Sequence, residues 1–149
     1  MDLFSDTDGL RGLKQLSESK HVAKLIYNGP SVSLNKFYSQ GHWGTRAAIK
    51  KKYRKIFDEI FSQSPDLRWM DQYFLVIYYN NRCDCDNVTG MEKVFIDSLK
   101  HEVDKETDLV TRMGFVRDDN RRYYRGMCIF PDEELTYNTV EFNLYEKKK

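Results

Sequence analysis

The chain has 149 residues, enough for one domain with its own hydrophobic core. With 40% hydrophobic and 32% charged residues it has the balance of a folded globular protein rather than a disordered one, and no apolar run is long enough to span a membrane. A formal net charge of +1 gives the whole chain no bias toward a polyanion.

The first residues, Met1-Asp2-Leu3-Phe4-Ser5-Asp6, lack a basic start and an apolar segment, so no signal peptide is expected. The three cysteines are an odd number, and Cys83 and Cys85 stand too close for an ordinary disulfide, which favours a reducing cytoplasm. Residues 1–20 read as a weakly helical arm (Leu10, Leu13, Leu16), residues 21–146 as the folded domain, and Lys147-Lys148-Lys149 as a disordered tail.

Val22–Asn28 reads as a first strand, ended by Gly29-Pro30. Ser31–Gly44 is a long loop rich in hydroxyls and aromatics, a length that usually means function or mobility. In it, Asn35 and Lys36 are candidates for phosphate contact, and His42-Trp43 reads as a packing anchor or a stacking surface. Thr45 is the expected cap of a helix to about Phe61, with Ile49, Tyr53, Ile56, Phe57 and Ile60 as its core stripe. From Ser19 to Phe57 there is no Asp or Glu, yet Lys20, Lys24, Lys36, Arg46, Lys50, Lys51, Lys52, Arg54 and Lys55 fall there. A one-sign segment in a neutral chain is a candidate polyanion footprint, and equally the solvated face of a helix.

Arg68–Tyr79 is expected to be an interior strand for its apolar density. It leads into Asn81-Arg82-Cys83-Asp84-Cys85-Asp86-Asn87. Side chains two apart on a strand share a face, so Asp84 and Asp86 are expected side by side, with Cys83 and Cys85 turned to the core. Such a pair repels, and a hard cation such as Mg²⁺ would neutralise it. Thr89 and Glu92 have capping-box spacing, which predicts a helix N-cap at Thr89 and Lys93 in the first turn. Met91, Val94, Phe95, Leu99 and Val103 form the expected buried stripe, and Lys93, Asp97 and His101 the polar side.

Residues 101–114 read as a charged connection with some helical character, followed by a second acidic doublet, Asp118-Asp119. Arg121–Phe130 reads as a strand, Pro131–Glu134 as a turn and Tyr137–Tyr145 as a last strand with Val140, Phe142 and Leu144 inward. The order β-α-β-α-β-β predicts one α+β domain, a mixed sheet packed against helices.

Acids converging on a lysine suit metal-assisted phosphoryl transfer: the cation polarises the phosphate, and the lysine offsets charge in the transition state. Spacing alone leaves open whether each acid is a separate turn residue. Zinc is a poor fit, because Cys83 and Cys85 have one residue between them instead of two to four.

Asp84-Cys85-Asp86-Asn87, then Lys93, then Asp97-Ser98-Leu99, then Phe115-Val116-Arg117-Asp118-Asp119 resembles the Asp-x-Asp-Asn…Lys…Asp-Ala-Leu…Asp-Asp pattern of RusA-type Holliday-junction resolvases. Gly29-Pro30-Ser31-Val32-Ser33-Leu34-Asn35-Lys36, before the lysine-rich helix, is similar to that family's N-terminal Pro-x-Ser-x-Asn segment. The resemblance runs from about Lys24 to about Tyr145, with Lys93 about one helical turn further from Asn87 than in the family. It implies a RusA-like endonuclease domain and a homodimer that makes paired symmetric nicks in four-way or otherwise branched DNA, with Mg²⁺ or Mn²⁺. It also implies that Asp84, Asp86 and Asp119 hold the metal, that Lys93 is the catalytic lysine, and that Asp118 is a further candidate. Asn35, Lys36, Lys50, Lys51, Arg54, Arg82, Arg121 and Arg122 are the candidate DNA contacts. No membrane partner and no nucleotide cofactor are expected. Small resolvases of this type are often phage proteins, which implies the host cytoplasm as the setting. The alternatives are a non-catalytic DNA-binding or assembly protein on the same fold, and another metal nuclease or phosphatase acting on flaps, forks or small phosphate esters.

Overall fold

The structure, a computed structural model, describes residues 8–32 and 43–149; at Asp8, Trp43, Gly44, Thr45 and Asp86 it describes the backbone alone. A 3-10 turn at Asp8–Leu10 leads into a short helix, α1 (Arg11–Ser17), with no buried side chain. β1 (Lys20–Asn28) buries Val22, Ala23, Leu25 and Tyr27. α2 (Trp43–Ser62) includes Thr45, the expected cap, among its helical residues. Its stripe of Tyr53, Phe57 and Phe61, four apart, is buried, and Ile49, Ile56 and Ile60 pack beside it. β2 (Tyr73–Asn80), α3 (Cys85–Leu99), β3 (Glu102–Val103), β4 (Val110–Arg112), β5 (Tyr124–Pro131) and β6 (Thr139–Glu146) complete the order.

Among the described residues, the four long strands form one sheet in the order β1-β6-β2-β5, and β3 and β4 form a separate two-stranded ribbon. β6 is antiparallel to both β1 and β2, and β5 is parallel to β2. A parallel neighbour needs a crossover connection, and α3 lies in the one between β2 and β5. Leu25, Phe142, Ile77 and Ile129 are cross-strand partners and make one apolar row across the sheet. Phe142 meets Phe95 of α3 in a stacked pair, centroids 4.1 Å apart, and meets Phe57 of α2 edge-on at 5.6 Å. The domain is thus α+β, a mixed sheet with helices packed against it. Among the described residues no helix is long and apolar enough to cross a membrane.

Two ionic ties hold α2 to later elements of the chain. Arg54 donates to Asp97 Oδ2 at 2.9 Å and also to Glu102, joining α2 to the end of α3 and to β3. Arg112 of β4 donates to both Asp58 oxygens and to the Ser98 carbonyl. Residues 101–114 are therefore the β3–β4 ribbon and not a helical connection. Asp104 organises its turn by accepting the Glu106 and Thr107 amides at 2.8 and 3.2 Å, and Asp108 takes a positive φ of 56°. The ribbon closes where Phe115 N–H donates to Leu99 C=O at 2.9 Å and His101 N–H to Val116 C=O at 2.8 Å. Gly114 is required at that closure, since a Cβ there would lie 2.2 Å from the His101 amide nitrogen. Val103, expected in the α3 stripe, is 46% exposed on β3, because α3 stops at Leu99.

Candidate functional site

α3 begins at Cys85, about one and a half turns earlier than the capping-box spacing of Thr89 and Glu92 predicts. Asp84 is the N-cap, extended at φ −75° and ψ 161°, and its carbonyl accepts the Asn87 and Val88 amides at 2.9 and 3.1 Å. The extra turn buries Val88, which is 1% exposed, and this packing decides between the two possible starts. Asp84 and Asp86 are therefore an N-cap and a first-turn residue, not neighbours on a strand face. The positive end of the helix offsets part of their charge, so their repulsion does not by itself require a cation. The cysteines move with them: Cys83 is half-buried against the core, while Cys85 is exposed, its Sγ 3.3 Å from Tyr79 Oη.

The earlier start also shifts Lys93 from the first turn to the third. Lys93 lies roughly 13 Å along the helix axis from Asp84. There Glu92, Lys93, Ile96, Asp97 and Lys100 form one wall of a cleft of about 350 Å³. Lys50 of α2, Asp119 and Tyr124 of β5 complete it. His101, expected on the helix with Lys93 and Asp97, lies beyond its end, where its Nδ1 meets the Gly114 amide.

A short turn brings Asp119 to the cleft. Val116 is wholly buried and bridges both Met70 and Lys100. Asp118 then turns its carboxylate back on the chain, accepting the Asp119 amide at 2.7 Å and the Asn120 side chain at 3.3 Å. The Asp119 amide, more than any other group, holds the Asp118 carboxyl below its ordinary value. Asp118 thus shapes the turn, while Asp119, half exposed, faces Lys100 at 3.7 Å.

The motif pattern does not single out Glu92 as a site residue. It is 8% exposed, and burial raises its carboxyl above the ordinary 4.5. Asp119 adds to the rise; Tyr124 and Lys93 oppose it. The Tyr124 hydroxyl is itself fully buried, near Glu92 but without a hydrogen bond of normal geometry, and burial followed by Glu92 pushes it up. Tyr73 stacks on Tyr124, centroids 5.0 Å apart, and is raised by burial and then by Asp119. The sequence signal for Glu92 is an acid three before Phe95 and four after Val88, on the apolar side of the helix, where carboxylates are rare.

An acid raised by burial favours the fold while protonated. That contribution is full below pH 4.5, the ordinary value, and is lost as pH rises through the native one. In metal-free protein, Glu92→Gln is therefore expected to raise Tm at pH 7–8 by roughly 2–4 °C, the worth of about 1 kcal/mol in a domain of this size. The gain should shrink toward zero as pH is lowered to 4.5, measured by thermal melts across that range.

The other candidate residues are spread around the cleft. Asp84 and Arg82 are exposed at the start of α3 and before it, and Asp84 does not line the cleft; the Asp86 side chain lies outside the described residues. Asn35 and Lys36 also lie outside them. Lys50, Lys51, Arg54 and Lys55, with Ala47 and Asp58, line a second groove of about 500 Å³ along α2, and Lys50 belongs to both depressions. Arg54 is engaged by Asp97 and Glu102, which leaves the lysines as the more available cations. Arg121 and Arg122 are exposed in the turn before β5 and do not line the cleft.

Glu92 and Asp119 present the carboxylate oxygens that a hard divalent cation prefers. Among the described residues, no three His, Cys, Asp or Glu side chains converge closely enough to hold a metal ion. The described residues thus supply two acids, and Asp84 and Asp86 come from the far end of the same helix. Comparison of the chain with protein-family models, with curated proteins and with solved structures finds no match.

Proposed function

We propose that the chain is a divalent-metal-dependent endodeoxyribonuclease acting on branched DNA, with the four-way junction as substrate and a homodimer as the acting form. The observation that carries this reading is the contact between a cleft where acids and lysines meet and a groove lined mainly by cations. The cleft with Lys93 and Asp119 shares Lys50 with the basic groove of α2. A backbone phosphate seated on Lys50 and Lys51 would place its neighbour over the cleft, and such contacts position DNA without reading its sequence. The RusA-like order of Asp84, Asp86, Lys93 and Asp119 supports the same assignment.

Asp119 and Glu92 would hold Mg²⁺ or Mn²⁺ at the cleft; the resemblance also implies Asp84 and Asp86 as ligands, but their backbone stands at the far end of α3. When bound, the metal polarises the phosphate and lowers the pKa of water. Lys93, exposed on the rim, offsets the charge that builds on the phosphate oxygens as water attacks in line. The products are a 5′-phosphate and a 3′-hydroxyl. Two copies on one junction would make symmetric nicks.

The second reading, junction binding without scission, is favoured by the cation content of the cleft. Asp97 has Arg54 at 2.9 Å, Lys100 at 3.9 Å and Lys50 at 4.0 Å, and Asp119 has Lys100. A panel of synthetic four-way, forked, flapped and linear duplexes, in Mg²⁺, in Mn²⁺ and in EDTA, separates the two. Paired nicks in the four-way substrate with either metal and none in EDTA are expected. Binding of the junction with no scission in either metal would overturn the enzyme reading.

A further inference from the structure

Trp69 is 42% exposed, although the residue after it, Met70, is wholly buried. The backbone here is pinned: Met70 N–H donates to Phe115 C=O at 2.8 Å, and Met70 bridges Val116. The indole is held as well. Its ring meets His101 edge-on at 5.7 Å, and its Nε1–H reaches Asp71 Oδ1 at 3.4 Å. A large aromatic is thus fixed in water by a rigid frame, where burial would ordinarily stabilise the fold.

The indole stands between two hollows. One, of about 550 Å³, also takes in Lys100, Val103 and Lys105; the other, of about 290 Å³, takes in Gln72, Arg122 and Tyr123. Trp69 and Arg117 line both. Lys100 belongs to the larger hollow and to the cleft of Lys93 and Asp119 alike. The α2 groove, the cleft and the two hollows are therefore linked in a row through shared residues.

The acids of the hollows are already engaged. Glu102 accepts from Arg54, Asp71 pairs with Lys149 at 3.1 Å, and Asp118 accepts the Asp119 amide. Arg117 rests over the Tyr123 ring, 5.9 Å from its centroid. What this surface offers a ligand is an aromatic plate flanked by the cations Arg117, Arg122 and Lys105. That pairing suits a base with phosphates on either side: stacking tolerates any base, and the cations track the backbone.

We propose that Trp69, with Arg117 and Arg122, is a stacking site for an unpaired nucleotide of the DNA whose phosphate lies in the cleft of Lys93 and Asp119. The assignment rests on the nucleic-acid reading of that cleft. Bases in an unbroken duplex are stacked on one another and do not reach the indole. A gap leaves one unpaired, and a branch point frees one where the pairs at its centre open. Trp69 would then separate interrupted DNA from plain duplex beside the cleft, independently of sequence.

The test uses the full chain in EDTA, so that no strand is cut, with three probes: oligo-dT, a duplex with a three-nucleotide gap, and a continuous duplex of equal length. In a Trp43→Phe background Trp69 is the remaining indole. Its emission should be quenched by oligo-dT and the gapped duplex and unchanged by the continuous one. Trp69→Ala should bind the first two roughly 10- to 100-fold more weakly and the continuous duplex as the parent does, with Trp69→Phe recovering part of the loss. Equal affinities of parent and Trp69→Ala on every probe would overturn the stacking site alone. Equal weakening on all three would also overturn it, since a packing role acts that way. Binding of a four-way junction run beside the three probes, with none of the three bound, would overturn the stacking site alone; failure of the parent to bind the junction as well would overturn the nucleic-acid reading together with it.

Discussion

If the cleft cuts branched DNA as proposed, Asp119→Asn is expected to lower metal-dependent strand scission by about three orders of magnitude while leaving junction binding intact. Asp119 is the acid that the turn after Val116 delivers into the cleft, half exposed and facing Lys100 at 3.7 Å. Asparagine keeps its shape and removes its charge. A cation's contribution of several kcal/mol to transition-state charge, once its ligand is neutralised, corresponds to a loss of roughly 10³-fold in rate. Binding should hold or tighten slightly, because a negative charge leaves a surface that meets phosphates. Single-turnover cleavage and gel-shift titration of one four-way junction measure the two effects separately. Cleavage by the variant at the parent rate in Mg²⁺ would remove Asp119 from the chemistry. Loss of binding and cleavage together would point to the turn, where Asp118 and Asn120 are bonded, rather than to catalysis.

Phe57→Ala carries the largest expected effect on stability. Phe57 is wholly buried on α2. The rings of Tyr27, Phe61, Phe95 and Phe142 stand between 5.3 and 6.1 Å from it, and Tyr53 at 6.4 Å. It joins both packed helices to the row that runs across the sheet. Truncating such a ring leaves a cavity that its neighbours, themselves wedged, fill only in part. The loss is expected at about 3–5 kcal/mol, against a total of roughly 5–15 kcal/mol for a domain. Urea unfolding should show a lower midpoint with little change in slope. A loss under about 1 kcal/mol would mean that the cluster relaxes into the space.

The elements that were legible in the sequence are those whose periodicity is strong. β1, α2 and β6 appear within a few residues of their expected bounds, and Val140, Phe142 and Leu144 are buried as the alternation requires. The start of α3 was not legible, because Asp84 and Thr89 are both good N-cap residues and local chemistry does not rank them. Tertiary packing of Val88 and Met91 does. The β3–β4 ribbon was hidden by its charge. Its turn depends on the carboxylate of Asp104, the positive φ of Asp108 and the close approach at Gly114, none of which gives a strand pattern. Lys93, Asp119 and Glu92 line one cleft, and Asp84 of the same motif does not. The strand period does not reach Asp84 and Asp86, because β2 ends at Asn80 and α3 begins at Cys85.

The strand order has a consequence for how the protein is made. β6, the last strand in the chain, lies between β1 and β2. While the chain is still emerging from the ribosome, β2, α3 and β5 can assemble as a unit, but β1 has no partner until Thr139–Glu146 is synthesised. Completion of the sheet therefore waits for residues 139–146, and the closing contacts, such as Lys20 with Glu146, are far apart in sequence, the arrangement that folds slowly. A chain that ended before Thr139 would leave β1 without a neighbour and one side of β2 open, two unpaired edges of the kind that seed aggregation.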